Sequence, residues 1–187
     1  MAAEINARYE RGYATNDLND AGVLIHTFDD HLDSNEPWHT KQTGWMEEYS
    51  NILSCSIVNR RKHGIFSGPT GNGGGVVLSP LSKTLCSYPY DGGAMNYAWG
   101  CGPTMCSEPS NIWGCAFPPS MLYRMMQIHF NGDQWKYNEV VVDQFNMSIT
   151  AVWGGWGARQ VHAKLLEHFG LNENQLPFLE GGKHPFG

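Results

Sequence analysis

Residues 137–143, with the sequence YNEVVVD, place one carboxylate, Glu139, at the start of a short apolar run. A glutamate held on a strand can serve as a general acid or base for a bound substrate. Strand alternation puts Tyr137, Glu139 and Asp143 on one side and the apolar Val140 and Val142 on the other. The same pattern also suits a glutamate that merely faces water, and both interpretations stay open.

The triplet Tyr137-Asn138-Glu139 at the start of a strand resembles the segment around the catalytic glutamate of ADP-ribosyltransferases of the poly(ADP-ribose) polymerase type. This resemblance implies that Glu139 is catalytic and contacts the nicotinamide ribose of NAD. It also implies a ribose-binding role for His26, in the run LIHT, and stacking on nicotinamide by a tyrosine such as Tyr88. Apart from NAD under this resemblance, no cofactor is expected.

Five cysteines could form covalent links. Cys55 and Cys86 lie in strand-like runs, whereas Cys101, Cys106 and Cys115 lie in an irregular segment rich in glycine and proline. Such a segment is ordered most simply by covalent links, which predicts two disulfides of unknown pairing and one spare thiol. Free buried thiols and a zinc site are the alternatives. The intervals of four and eight residues between the last three cysteines do not match zinc-ligand spacing, so no metal is expected.

Disulfides would place the protein in an oxidising space, either outside the cell or in the lumen of an organelle such as a plastid or the secretory pathway. The order of the runs CSIVN, LCSYPYDGG, CAFPPS and YNEVVVD also resembles an uncharacterised group of algal and protist proteins over residues 53–145. That resemblance implies a eukaryotic algal source. It implies no activity.

Aromatic residues beside glycines form a second kind of candidate site. Tyr97 and Trp99 lie in the run NYAWG, and Trp153 and Trp156 lie in WGGW. Rings in such positions can stay exposed and stack on a sugar, a pigment or another protein, which makes these four residues candidate binding residues. The alternative is that the rings cover small satellite cores.

The elements that must position these residues are short. Strands are predicted at residues 23–28, 53–58, 64–67, 76–79, 85–88, 137–143 and 148–153, and helices at 120–130 and 158–169. Strands and helices do not alternate as parallel βαβ units require. The order therefore predicts a single α+β domain with a mainly antiparallel sheet, two packing helices and a disulfide-tied irregular segment.

The two ends of the chain are weakly patterned. The sequence predicts an N-terminal arm over residues 1–22, the α+β domain over 23–170 and a C-terminal arm over 171–187. Each arm is expected to be held either by the core of its own chain or by a partner subunit.

Composition limits the function. The formal net charge is −6 and only 16% of residues are charged, which disfavours an electrostatic nucleic-acid binder, and no apolar stretch is long enough for a membrane-spanning helix. Together with the weakly patterned ends, this predicts a non-catalytic binding or structural subunit of a larger assembly. It would dock onto protein partner subunits through its extended termini and its aromatic surface. Two alternatives stay open: an ADP-ribosyltransferase-like enzyme using Glu139, and a secreted glycan-binding module.

Overall fold

A seven-stranded mixed β-sheet forms the centre of an α+β fold. The computed structural model describes residues 1–13, 15–27, 52–60, 74–88, 122–123, 139–143 and 146–181. The helices whose bounds lie within these ranges are α1 (Ala2–Arg11), α2 (Leu18–Ala21) and α3 (Trp156–Phe169). Its strands are β1 (Val23–Thr27), β2 (Ile52–Val58), β3 (Gly74–Leu78), β4 (Thr84–Tyr88), β5 (Glu139–Asp143), β6 (Ile149–Gly154) and β7 (Phe178–Glu180).

The strand order across the sheet is β4-β5-β2-β1-β3-β6-β7. All neighbouring strands are antiparallel except β6 and β7, which are parallel. All five residues of β5 and all five of β3 are buried. Both faces of these strands are therefore covered, which explains why their sequences contain continuous apolar runs such as Val140–Val142.

The two faces of the sheet carry two separate apolar clusters. The cluster beside α1, called here the α1-side cluster, consists of Ile5, Tyr9, Val23, Ile25, Val58, Val77, Ala151 and Trp153. The larger α3-side cluster includes Leu24, Leu53, Cys55, Ile57, Val76, Leu78, Val140, Val142, Val152, Ala158 and Leu165. Successive strand residues alternate between the clusters, as Val76, Val77 and Leu78 show, so the sheet separates the two helices.

Helix α3 approaches the sheet closely because β3 begins with Gly74. A Cβ added at Gly74 would lie 2.6 Å from Cβ of Ala158. The helix ends at Gly170, which adopts a left-handed conformation with φ 62°. There the amide of Leu171 donates a hydrogen bond to the carbonyl of Leu166, which satisfies a carbonyl left over at the helix end.

The described parts of both predicted arms pack on the chain's own sheet. In α1, Ile5 and Tyr9 are buried in the α1-side cluster. At the other end, β7 pairs with β6, and buried Leu176 accepts a hydrogen bond of 2.7 Å from Nε2 of His162 on α3. Residues 178–180, placed by the prediction in the C-terminal arm, are thus an edge strand of the described sheet.

The predicted fold class was wrong in its particulars. The sheet is mixed, and no disulfide occurs within the seven described ranges, where Cys55 is a free and buried thiol. Cys55 lies inside a central strand, where a small apolar side chain fills the core without any covalent link. The helices on the sheet include α1, and of the predicted helix 120–130 only Leu122 and Tyr123 are described, both helical. Cys101, Cys106 and Cys115 lie outside the described residues.

Candidate functional site

Glu139 lies inside the protein and does not face water. It is 1% exposed and begins β5. On one side it is paired with Tyr88 of β4, and the register of β5 with β2 continues to place buried Ser56 opposite it on the other side. An ionisable carboxyl group at such a depth needs hydrogen-bonding or charged neighbours to be stable there. Glu139 is therefore expected to have polar neighbours inside the protein.

His26 and Glu139 project from opposite faces of the sheet. His26 follows Ile25, which belongs to the α1-side cluster, so alternation turns His26 toward the α3 side. Glu139 precedes Val140 of the α3-side cluster and therefore points toward α1. Their strands flank β2, so the two backbones are about 10 Å apart. The structure thus does not bring together the pair that the resemblance would use on one NAD molecule.

The two tryptophans of WGGW have opposite surroundings. Trp153 ends β6 with no exposed surface, whereas Trp156 begins α3 and is 79% exposed. Gly154, between them, has φ 137°, a value that side chains disfavour. This glycine allows the chain to turn so sharply that one indole enters the core while the other points outward. Of the two, only Trp156 can contact a partner without rearrangement.

The start of α3 leaves backbone donors without a side-chain cap. Gly155 occupies the N-cap position and supplies no capping group, and the first turn contains no acidic residue. Serine, threonine or aspartate normally accepts hydrogen bonds from these first amides. The exposed indole of Trp156 therefore stands beside amide groups that can donate hydrogen bonds to an external acceptor.

Arg159, one turn after Trp156, contacts two residues of β7. Its guanidinium forms an ion pair with Glu180 of β7 and lies 4.3 Å from the ring centroid of Phe178. Residues three apart on a helix are neighbours on its surface. Arg159 thus places a charged group next to Trp156 on the surface of α3.

Cys55 is buried on the α3 side of β2, and its thiol approaches the carbonyl of Leu53 at 3.7 Å. Burial raises the pKa of this thiol well above its usual range, and the charge of Glu139 raises the pKa further. The thiol therefore stays protonated and has little nucleophilic character. Cys86 lies on β4, where it pairs with Val141 of β5, so β5 runs between it and Cys55 on β2. Two strand spacings are more than a disulfide can bridge, so these two cysteines cannot be linked to each other.

One residue that sequence reasoning missed is Arg8. It is only 5% exposed, and the buried Nε and Nη2 atoms of its guanidinium have no hydrogen-bond partner. Arg8 is three residues after Ile5 and one before Tyr9, on the helix face that packs against the sheet. The helical spacing was a usable signal for its burial, but an arginine among apolar residues is normally expected to reach water.

A second buried donor belongs to the same side of the sheet. The Nε1–H group of Trp153, in the α1-side cluster, has no hydrogen-bond partner. The other predicted binding residues, Tyr97 and Trp99, lie outside the described residues.

Within the described ranges, no three histidine, cysteine, aspartate or glutamate residues form a group that could hold a metal ion. No described helix is long and apolar enough to cross a membrane. In comparisons with known proteins, the chain matches no family model and no curated protein.

Proposed function

We propose that this protein is a non-catalytic binding subunit that docks onto a protein partner through the start of α3. The observation that carries this proposal is the exposure of Trp156, at 79% of its surface. Tryptophan is enriched among the residues that dominate binding energy, and one left in water at a helix terminus is available for that use.

The surroundings of Trp156 match the anatomy of a protein interface. Arg159, which pairs with Glu180, is its neighbour on the helix surface, and the amides at the helix start lack a side-chain cap. An apolar anchor with a polar border is the arrangement that protein interfaces use. Partner groups that fit are an apolar pocket for the indole and a carboxylate or carbonyl oxygen for the amides.

The proposed docking surface is the start of α3, whereas the sequence predicted docking through extended termini. The described parts of the ends of the chain pack on its own sheet, so the proposed anchor is the helix terminus and not an extended arm. The placement of His26 and Glu139 on opposite faces favours a binding role over NAD chemistry.

The test compares two variants in the cells that make the protein. A tagged full-length chain is expected to elute from a sizing column in a complex much larger than the 20.9 kDa chain. Trp156→Ala should return it to the size of the free chain, whereas Phe169→Ala, at the other end of α3 and also exposed, should leave the complex intact. Elution of the wild-type chain as a free monomer would overturn the proposal.

A further inference from the structure

Arg8 presents a complete and unused hydrogen-bonding edge. Nε and Nη2, the two atoms without partners, lie on the same edge of the planar guanidinium. This edge donates two parallel hydrogen bonds, the arrangement that a carboxylate or phosphate group accepts. The third nitrogen, Nη1, is not part of that edge. The missing partner is therefore a group with two acceptor oxygen atoms side by side.

The cost of leaving this edge empty is large. A buried charged group without compensation is among the least favourable features of a protein interior. Burial lowers the pKa of Arg8; the charge of Glu4 partly offsets this effect, while Arg11 adds to it. Glu4 is itself exposed and makes no hydrogen bond to the two buried nitrogen atoms. The chain's described residues thus provide no partner for the Arg8 edge.

Trp153 adds a third donor on the same side of the sheet. Its unpartnered Nε1–H belongs to the cluster that contains Ile5 and Tyr9, the residues flanking Arg8 on the inner face of α1. Guanidinium and indole groups are donors only. Among the described side chains on this face of the sheet, the three buried atoms without a partner are all donors, which favours an acceptor-rich, negatively charged group as their partner.

The single positive charge of Arg8 and the apolar α1-side cluster limit which negatively charged group can bind. One arginine balances one negative charge, whereas a doubly charged phosphate would leave one buried charge uncompensated. The members of the α1-side cluster, among them Ile5, Val77 and Trp153, are apolar. The geometry points to a binding site between α1 and the sheet for an organic monocarboxylate, with its carboxylate on Arg8 and its apolar part against the α1-side cluster.

This site is independent of the surface around Trp156, because α1 and α3 cover opposite faces of the sheet. The loss of either site leaves the other proposal standing.

The test uses the full-length protein and hexanoate, with hexanamide as the neutral analogue of the same length. Hexanoate is expected to raise the melting temperature in a concentration-dependent manner, and hexanamide is not. Arg8→Met keeps an unbranched side chain but removes the donors, so it should abolish the response to hexanoate while raising the melting temperature without ligand. Arg8→Lys keeps the charge and loses the two-donor edge, so its affinity should fall at least tenfold. Arg11→Met, on the exposed side of the same helix, should respond as the wild type does.

Three results would overturn the assignment: no response of the wild type to hexanoate, an equal response in Arg8→Met, or a stronger response to inorganic phosphate than to hexanoate. If Arg8→Met does not fold, the indole N–H resonance of Trp153, assigned with Trp153→Phe, decides the matter in the wild type. Hexanoate should shift that resonance, and an unmoved resonance at saturating hexanoate would also overturn the assignment.

Discussion

The indole of Trp153 lies directly against Gly75 of β3. A Cβ atom added at Gly75 would be 2.1 Å from Cη2 of the ring and 2.0 Å from the carbonyl oxygen of His26. Neither distance is possible for a real contact, and the carbonyl belongs to the backbone of a paired strand. The absence of a side chain at Gly75 is therefore what admits the largest residue of the α1-side cluster.

Gly75→Ala is expected to lower the free energy of unfolding by about 3 kcal/mol, because the added methyl group must displace both the ring and a central strand. Chemical denaturation followed by tryptophan fluorescence measures this change. Gly155→Ala is the matched control, since nothing lies within 4 Å of a Cβ at that position, and it should cost less than about 1 kcal/mol. Equal costs for the two variants would show that Trp153 does not occupy this place.

Cys55 should make the stability of the protein depend on pH. Burial and Glu139 raise the pKa of its thiol in the folded state, so above about pH 8.5 the unfolded chain loses this proton while the folded chain keeps it. The unfolded state is then favoured by about 1.4 kcal/mol per pH unit until the folded pKa is reached. Below pH 8.5 both states are protonated and this contribution vanishes.

The comparison with Cys55→Val isolates this effect, because valine suits a buried strand and does not ionise. Denaturation curves from pH 7.5 to 10 should show the wild type losing stability relative to the variant only in the alkaline part of the range. A constant difference between the two proteins over that range would mean that Cys55 ionises normally in the folded state.

His162 should hold the segment before β7 against α3. His162→Ala removes the donor to the carbonyl of Leu176 and leaves space beside Phe178, whose ring centroid is 5.4 Å from that of the imidazole. We expect a loss of about 3 kcal/mol and faster hydrogen exchange at the amide of Val152, which donates to Pro177. His168→Ala, at an exposed position of the same helix, should change stability by less than about 0.5 kcal/mol. If the Val152 amide exchanges no faster in His162→Ala, the hydrogen bond from His162 to Leu176 is not what holds β7 in place.

The chain should not consume NAD. Strand alternation directs the side chains of His26 and Glu139 to opposite faces of the sheet, an arrangement that disfavours joint action on one nicotinamide ribose. Incubation with NAD labelled in the nicotinamide ring should release no label above a protein-free blank. Release that disappears in Glu139→Gln would show that Glu139 is catalytic after all.

Much of the framework could be predicted from the sequence. Predicted strands at 23–28, 53–58, 85–88 and 148–153 fall within one or two residues of β1, β2, β4 and β6, because apolar runs between turn residues report strands directly. The predicted helix 158–169 begins two residues earlier, at Trp156, and ends before Gly170 as predicted. Strand β7 was missed because three residues, FLE, carry no period of their own and depend on pairing with β6.

The candidate sites depended on contacts that no local pattern contains. The run WGGW does not reveal which of its two indoles is buried. Trp153 is buried because its ring fills the space that a side chain at Gly75, on another strand, would take. Arg8 has the spacing of an inner helical position, but its burial follows from how α1 sits on the sheet. Glu139 could be interpreted as facing solvent because alternation shows only which residues of one strand share a side. Whether that side is buried depends on other parts of the chain.

The most direct test of the binding role is photo-crosslinking in living cells from position 160, an exposed residue of α3 one turn after Trp156. Benzoylphenylalanine in place of Gln160 keeps the Trp156 anchor and should give one discrete adduct with a partner protein, which Trp156→Ala in the same chain abolishes. The same probe at exposed Asn6 on α1, beyond the other face of the sheet, should give no such adduct. Adducts of equal yield from both positions, or none from position 160, would contradict the proposal that the start of α3 docks onto a partner.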